Sequence, residues 1–561
     1  MKSIISLICF FIPIGMMAAD QNIAIPVPPD SSRIYSYTNK TDAFWAGETN
    51  GYHSSGFHGL TYRKQSIFRD FYVFIDGELL ERSAATASVT PVHLSRRYAD
   101  PALVEDLFFP DDRNILILRL TPEKRHEVTV IPGFNVEAST EIVGENTAKI
   151  IQNTYQTPAN LPVTKWFSVN RSGDWSGADS ALAQQIPESN IKTPIQWQGM
   201  IEADTVTIAL SFAVDSATAA AERTDWRGGL SARQQLITSL EKEPVTENPR
   251  VNKALFWARS SMNALIMEQS GTGIYAGLPW FDDYWGRDTF ISLPGAALVN
   301  NNYADAKEIL RSFASFQITD STDANYGRIP NRVTPGEKIY NTTDGTPWFI
   351  RMIAEYIRSS GDFAFAGEMF PVVRRSIEGA LRYHTTSDSL MAHGDAETWM
   401  DAVGPDGPWS PRGNRAVEIQ ALWYKQLHAG VELARFLGED GTALRWRAIA
   451  EKVKTVFRQE YWDANNRQLY DHLNADDTPD SSKRPNQAFA VSLSDELLAP
   501  SEQGQVVRAV AEQITYPWGV ASLTQTDPNF HPYHQNPQYY PKDAAYHNGI
   551  IWTWLSGPVI D

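Results

Sequence analysis

The chain has almost no cysteine: one residue, Cys9, in 561. That cysteine sits in the opening stretch MKSIISLICFFIPIGMMAA, which has Lys2 at its start, an apolar run from Ile4 to Ile14, and the small pair Ala18-Ala19 at its end. This order reads as an export signal over residues 1–19, cleaved after Ala19. The apolar run falls short of the roughly 20 residues that span a bilayer, which argues against a retained anchor. The mature chain then holds neither a disulfide nor a cysteine nucleophile, and a periplasmic or secreted location follows. Positive charge is also scarce. Lys and Arg number 49 against 66 Asp and Glu, a net charge of −17, and no dense basic run occurs. That balance excludes nucleic acid and anionic membrane surfaces as partners. HExxH, phosphate-loop, nucleophile-elbow and glycine-rich nucleotide patterns are missing, so neither a catalytic metal nor a cofactor is expected, while a structural calcium among loops such as Asp471 to Asp480 stays open.

What is present is enough chain for two large domains. From about residue 20 to 215 short alternating segments are separated by turn residues. Val206, Ile208, Leu210, Phe212 and Val214 mark one buried strand face, and Asn114 to Leu118, Glu127 to Pro132 and Arg69 to Ile75 read as further strands. Asp76-Gly77 closes the last of these as a hairpin. The reading is an antiparallel β-sandwich over 20–215. Within it, Gly47 to His53 reads either as a solvated loop or as one reaching toward an active site. Residues 216–247 read as a linking helix. Asn248-Pro249 then caps a helical domain over 248–561. Its helices fall near 249–268, 288–300, 303–317, 345–359, 362–385, 415–437, 442–461, 485–498, 501–514 and 543–557.

The loops between these helices carry the chemistry. Trp399-Met400-Asp401 sets a carboxylic acid beside two large apolar side chains, where lost hydration favours the neutral form that a general acid needs. A loop aspartate bonded to backbone amides is the plain alternative. The stretch Gly277 to Gly295 surrounds Asp282, Asp283, Arg287 and Asp288 with Trp280, Phe281, Tyr284 and Trp285. Aromatic faces beside an Arg–Asp pair seat a sugar ring, and they equally describe a packed ion pair. Ile329-Pro330-Asn331-Arg332, the run from Tyr340 through Asp344 to Trp348, and Tyr546-His547-Asn548-Gly549 with Trp552 and Trp554 complete the set. A lone His such as His547 usually serves as a core residue.

Taken in order, PWFDDYWGRDTFISLPG, IPNR, YNTTDGTPWFI, ETWMDA, SPRGNRAVEIQALWY and YHNGIIWTWLSGP resemble the C-terminal amylo-α-1,6-glucosidase domain of glycogen debranching enzymes, over roughly residues 250–561. The resemblance implies an (α/α)6 barrel after the β-sandwich. It also implies inverting hydrolysis of α-1,6-linked glucose in branched gluco-oligosaccharides or polysaccharides, with Asp401 as general acid. By the same resemblance Trp285, Arg287, Asp288, Arg332, Asp344, Trp399, Arg412, Glu418, Tyr546 and His547 bind sugar or position the acid. The general base is expected beyond residue 561, with the last helices of the barrel. Two rivals stand beside this reading. One is an (α/α)6 glycosidase of other specificity, such as a mannosidase or another glucosidase. The other is a carbohydrate-binding protein without catalysis.

Overall fold

The computed structural model describes residues 23–560, leaving out 136–138, 145–146, 153–162, 171–172, 189, 203, 216, 220–225, 242–244 and 495. The segment 1–19, expected to be an export signal, and part of the expected linking helix 216–247 thus lie outside the described residues. Two compact units are present. The first holds residues up to 269 together with 275–282, and the second holds 270–274 and 283 onward.

The first unit is rich in sheet. A nine-stranded antiparallel sheet runs in spatial order 25–27, 86–89, 93–98, 103–108, 115–122, 206–213, 163–169, 147–152 and 139–144. Strand Val206–Ala213 pairs with Ile115–Pro122, setting Leu210 opposite Leu116 and Ile208 opposite Leu118. A second sheet has Asp70–Ile75 between the hairpin strand Glu78–Leu79 and His126–Gly133. Asp76 and Gly77 both take positive φ, 51° and 84°, the backbone that a two-residue hairpin turn requires. Alternate residues of both sheets, among them Leu116, Leu118, Ile208, Leu210, Val73, Ile75, Val128 and Val130, join one apolar cluster.

Gly47 to His53 is not a solvated loop. Thr49, Asn50 and His53 are buried, and Arg96 Nε donates to the Thr49 carbonyl at 2.5 Å. Beneath them Arg82 and Arg96 share the Glu105 carboxylate. Buried charges persist only when paired in this way. Helices Trp226–Leu240 and Pro249–Leu265 also group with this unit. Asn248 accepts from the Arg250 amide at 3.0 Å, the expected cap.

The second unit is helical. Gly286–Ala296, Tyr303–Ser315, Gly345–Ser360, Phe363–Tyr383, Val417–Phe436, Asp440–Tyr461 and Pro500–Gln513 follow the expected order closely. Burial alternates along the series. Fifteen of 20 residues of Val417–Phe436 and 11 of 16 of Gly345–Ser360 are buried, against six of 22 of Asp440–Tyr461 and four of 13 of Tyr303–Ser315. A helix apolar on all sides lies inside, and one with a single stripe lies outside. The inner members Gly286–Ala296, Gly345–Ser360 and Val417–Phe436 touch in sequence. No helix among the described residues is long and apolar enough to cross a membrane.

Two expected helices are not continuous. The segment 485–498 forms a 3-10 turn, Pro485–Ala488, and one short turn, Phe489–Ser492. The segment 543–557 breaks after Lys542–Tyr546, because Gly549 takes φ 138° and Ile551–Trp552 then pairs as a strand with Val520 and Ala521. Of the apolar residues that follow, Ile551–Trp552 joins a small sheet and Thr553–Leu555 forms a 3-10 turn.

Candidate active site

Each inner helix of the second unit brings a carboxylate to its N-terminal end: Asp288 in the first turn of Gly286–Ala296, Asp344 capping Gly345–Ser360, and Glu418 in the first turn of Val417–Phe436. Unpaired amides and the helix dipole favour negative charge there. Asp344 makes no side-chain cap bond. Its carboxylate grips Arg287 instead, taking Nε at 2.5 Å and Nη2 at 3.1 Å. Arg287 Nη2 also donates to the Thr398 carbonyl at 2.9 Å, and Nη1 reaches Asp401 Oδ2 at 3.3 Å. One buried guanidinium thus fixes the Glu397–Asp401 loop against two helix ends. Below that loop Trp399 Nε1 donates to Asn486 at 2.8 Å, and its ring meets His547, Trp552 and Trp554 edge-on.

The electrostatics separate the carboxylates. Burial raises the Asp401 pKa from its ordinary value; Arg287 opposes the rise and Asp344 adds to it. Asp288 is pushed up to about 6, again first by lost hydration, with Asp344 and Asp401 helping and Arg287 opposing. Its side chain is nonetheless open to solvent. Tyr546 belongs to the same neighbourhood, its phenol raised by burial and then by Asp401 and Asp288.

Asp288→Asn tests this placement. Because the folded pKa stands above the ordinary value of 3.8, the group's contribution to stability is complete below that value and is lost as pH rises through about 6. The variant's melting temperature is expected to match or exceed wild type above pH 6 and to lose this part of the pH dependence. Melting curves between pH 4 and 8 check it, and parallel curves at every pH would contradict it.

The sequence-derived residues divide into two groups. Asp401, Asp288, Trp285, Arg332 and Tyr546 are at least partly open to solvent. Arg332 lies over the Trp285 ring and holds Asp283 at 2.6 Å. Arg287, Asp344, Trp399 and His547 are buried behind them. His547 is kept neutral, well below the ordinary histidine range, by burial and then by Arg287, Arg484 and Arg412.

Arg412 and Glu418 need a correction as sugar-binding residues, since neither side chain reaches solvent. Their side chains are 0% and 3% exposed and bond to each other at 2.6 Å. Direct contact with a sugar does not fit such a pair; positioning does. Arg412 also meets the Asp471 carboxylate, while its amide donates to Asp395 at 2.7 Å.

Sequence reasoning missed Arg484. Buried, it donates to the carbonyls of Ser522 at 3.2 Å and His547 at 2.8 Å, to Asn548 Oδ1 at 2.9 Å, and to Met400 Sδ at 3.7 Å. It ties the Trp399–Asp401 loop to Tyr546–Gly549. Its signal was Arg484-Pro485-Asn486, which shares the Pro-Asn pair of Pro330-Asn331-Arg332. Ligand atoms of Asp471, His472 and Asp480 lie within 4.8 Å of one another. Arg412 and Arg484 already face the Asp471 carboxylate, so compensation for its charge is built in and we assign no metal there.

Residues 244–561 match the family model described as amylo-alpha-1,6-glucosidase. The glycogen debranching enzyme of Saccharomyces cerevisiae is 23% identical over 400 residues, covering 54% of this chain and 26% of that protein. A solabiose phosphorylase of Paenibacillus borealis is 24% identical over 307 residues, covering 51% of this chain and 37% of that protein. The chain therefore spans between about a quarter and just over a third of the length of these relatives. A bacterial glucoamylase solved with acarbose shares the fold, with a TM-score of 0.59 at 12% identity over 95% of this chain and 88% of that one. With more than half of its length matched, the chain belongs to the amylo-alpha-1,6-glucosidase family, a family of glycoside hydrolases.

Proposed function

We propose that the protein is an inverting α-1,6-glucosidase of the debranching type. It removes glucose from branched gluco-oligosaccharides or polysaccharides, with Asp401 as the general acid. The observation that carries this is Asp401 itself: an acid with a raised pKa, partly open to solvent, held by Arg287 at 3.3 Å beside a second acid of raised pKa, Asp288. Inversion protonates the glycosidic oxygen with one carboxylic acid while another carboxylate activates water on the opposite face. Asp401 supplies the acid half of that pair. Trp285 and Tyr546 offer ring faces to the sugar, and Asp288 and Arg332 offer partners for its hydroxyls. Arg287, Asp344, Arg412, Glu418, Arg484 and His547 hold the loops in place. We also read the paired sheets as a β-sandwich, the helices as part of an (α/α)6 barrel, and the chain as exported.

The test is glucose release from isomaltose and panose, with product anomers followed by NMR. Glucose released first as the β-anomer is expected, with none from mannosides. Release that requires inorganic phosphate, or that begins with the α-anomer, would overturn the reading.

A further inference from the structure

Residues 522–541 join the strand Gly519–Ala521 to the helix Lys542–Tyr546 with no helix or strand of their own. A connection that long inside a folded unit is usually functional or loose, and this one is braced. The amides of Tyr539 and Tyr540 donate to the Asn536 carbonyl at 2.9 and 3.1 Å. The Tyr540 hydroxyl accepts from the Tyr533 amide at 3.3 Å and donates to the Tyr533 carbonyl at 3.0 Å. The His531 ring stacks on Tyr540 at 4.2 Å.

Contacts from the middle of the loop fasten it to the candidate site. The His531 amide donates to the Asn548 carbonyl at 2.6 Å, and the His534 ring packs on Tyr546 at 5.3 Å. Tyr546 in turn lies in the field of Asp401 and Asp288. On this frame Tyr533 and Tyr539 stand 66% and 73% exposed. Their sequence neighbours are Gln535, Asn536 and Gln538. Flat apolar rings among neutral amides match a pyranose, whose C–H face stacks while its hydroxyls find hydrogen-bond partners. An apolar protein partner would need a contiguous apolar patch, and amides interrupt this one.

We propose that the loop 522–541 is the platform for the leaving-group side of the substrate: an α-glucan chain of several glucose units, stacked on Tyr533 and Tyr539. The inference rests on Asp401 marking the reacting bond, and it names a chain rather than a disaccharide as the ligand. The test measures binding of the full chain to maltoheptaose by calorimetry and to soluble glycogen by affinity electrophoresis, so it does not require turnover. Tyr533→Ala combined with Tyr539→Ala is expected to weaken maltoheptaose binding about tenfold and to abolish retardation by glycogen. Tyr533→Phe combined with Tyr539→Phe keeps the rings and should bind as wild type does. If the double alanine variant melts early, the single variants carry the test, each expected to lose about threefold. Unchanged affinity in the alanine variants, equal loss in the phenylalanine variants, or no binding by wild type would each overturn the proposal. Ring-dependent binding without glucose release from panose would leave the platform standing and defeat the hydrolytic reading instead.

Discussion

Asp401→Asn is expected to lower glucose release from panose by roughly 10²–10⁴-fold, the usual worth of a positioned general acid. The amide preserves the size of the side chain and can still accept from Arg287, which stands 3.3 Å from Asp401 Oδ2. Only the proton is lost, so the melting curve should stay close to wild type. The pH profile carries a second signature. Burial raises the Asp401 pKa, which keeps the acid protonated to higher pH, and activity should fall as pH rises through that raised value. In the variant this alkaline fall should disappear from the residual activity. Unchanged turnover, or an unchanged alkaline limb, would remove Asp401 from the role.

Arg412→Met is expected to destabilise the helical unit by about 3–5 kcal/mol, since removing one partner strands the other charge in the interior. The side chains of Arg412, Glu418 and Asp471 are 0%, 3% and 1% exposed. Without the guanidinium, Glu418 keeps no counter-charge at bonding distance among the described residues, and burial already raises its pKa. The melting temperature should fall by roughly 10 °C or more. Adding Glu418→Leu should recover part of the loss, because a carbon side chain carries no stranded charge. A melting temperature within 2 °C of wild type for Arg412→Met alone would show that the pair holds nothing in place.

Much of the scaffold is written in local patterns. Val206, Ile208, Leu210 and Phe212 alternate and are all buried in one strand. Asp76-Gly77 turns a hairpin for the steric reason that makes such pairs recognisable. The 3.6-residue period located Tyr303–Ser315, Gly345–Ser360 and Asp440–Tyr461 to within a few residues. The expected helix near 543–557 breaks at Ile551–Trp552, because a short apolar stretch reads alike as helix or strand. What decided it was pairing with Val520, far away in sequence.

The site divides along the same line. Asp401 could be singled out because its apolar neighbours are adjacent in the chain. That Arg287 would bridge Asp344 and Asp401, residues 57 and 114 positions away, is a matter of how helix ends converge. The same convergence put Arg412 and Glu418 in the interior and brought Arg484 under Met400 and His547. Charge and spacing mark such residues as chemically active. They do not reveal whether the partner is a sugar or another side chain.

The most direct measurement compares Asp401→Asn with wild type on two substrates in full kinetic series: isomaltose, whose leaving oxygen needs a proton, and an aryl glucoside with a good leaving group, which needs little help. If Asp401 donates that proton, the loss on isomaltose should exceed the loss on the aryl glucoside by about tenfold or more. Equal losses on both would mean that the carboxyl only shapes the site, and would contradict its role as the acid.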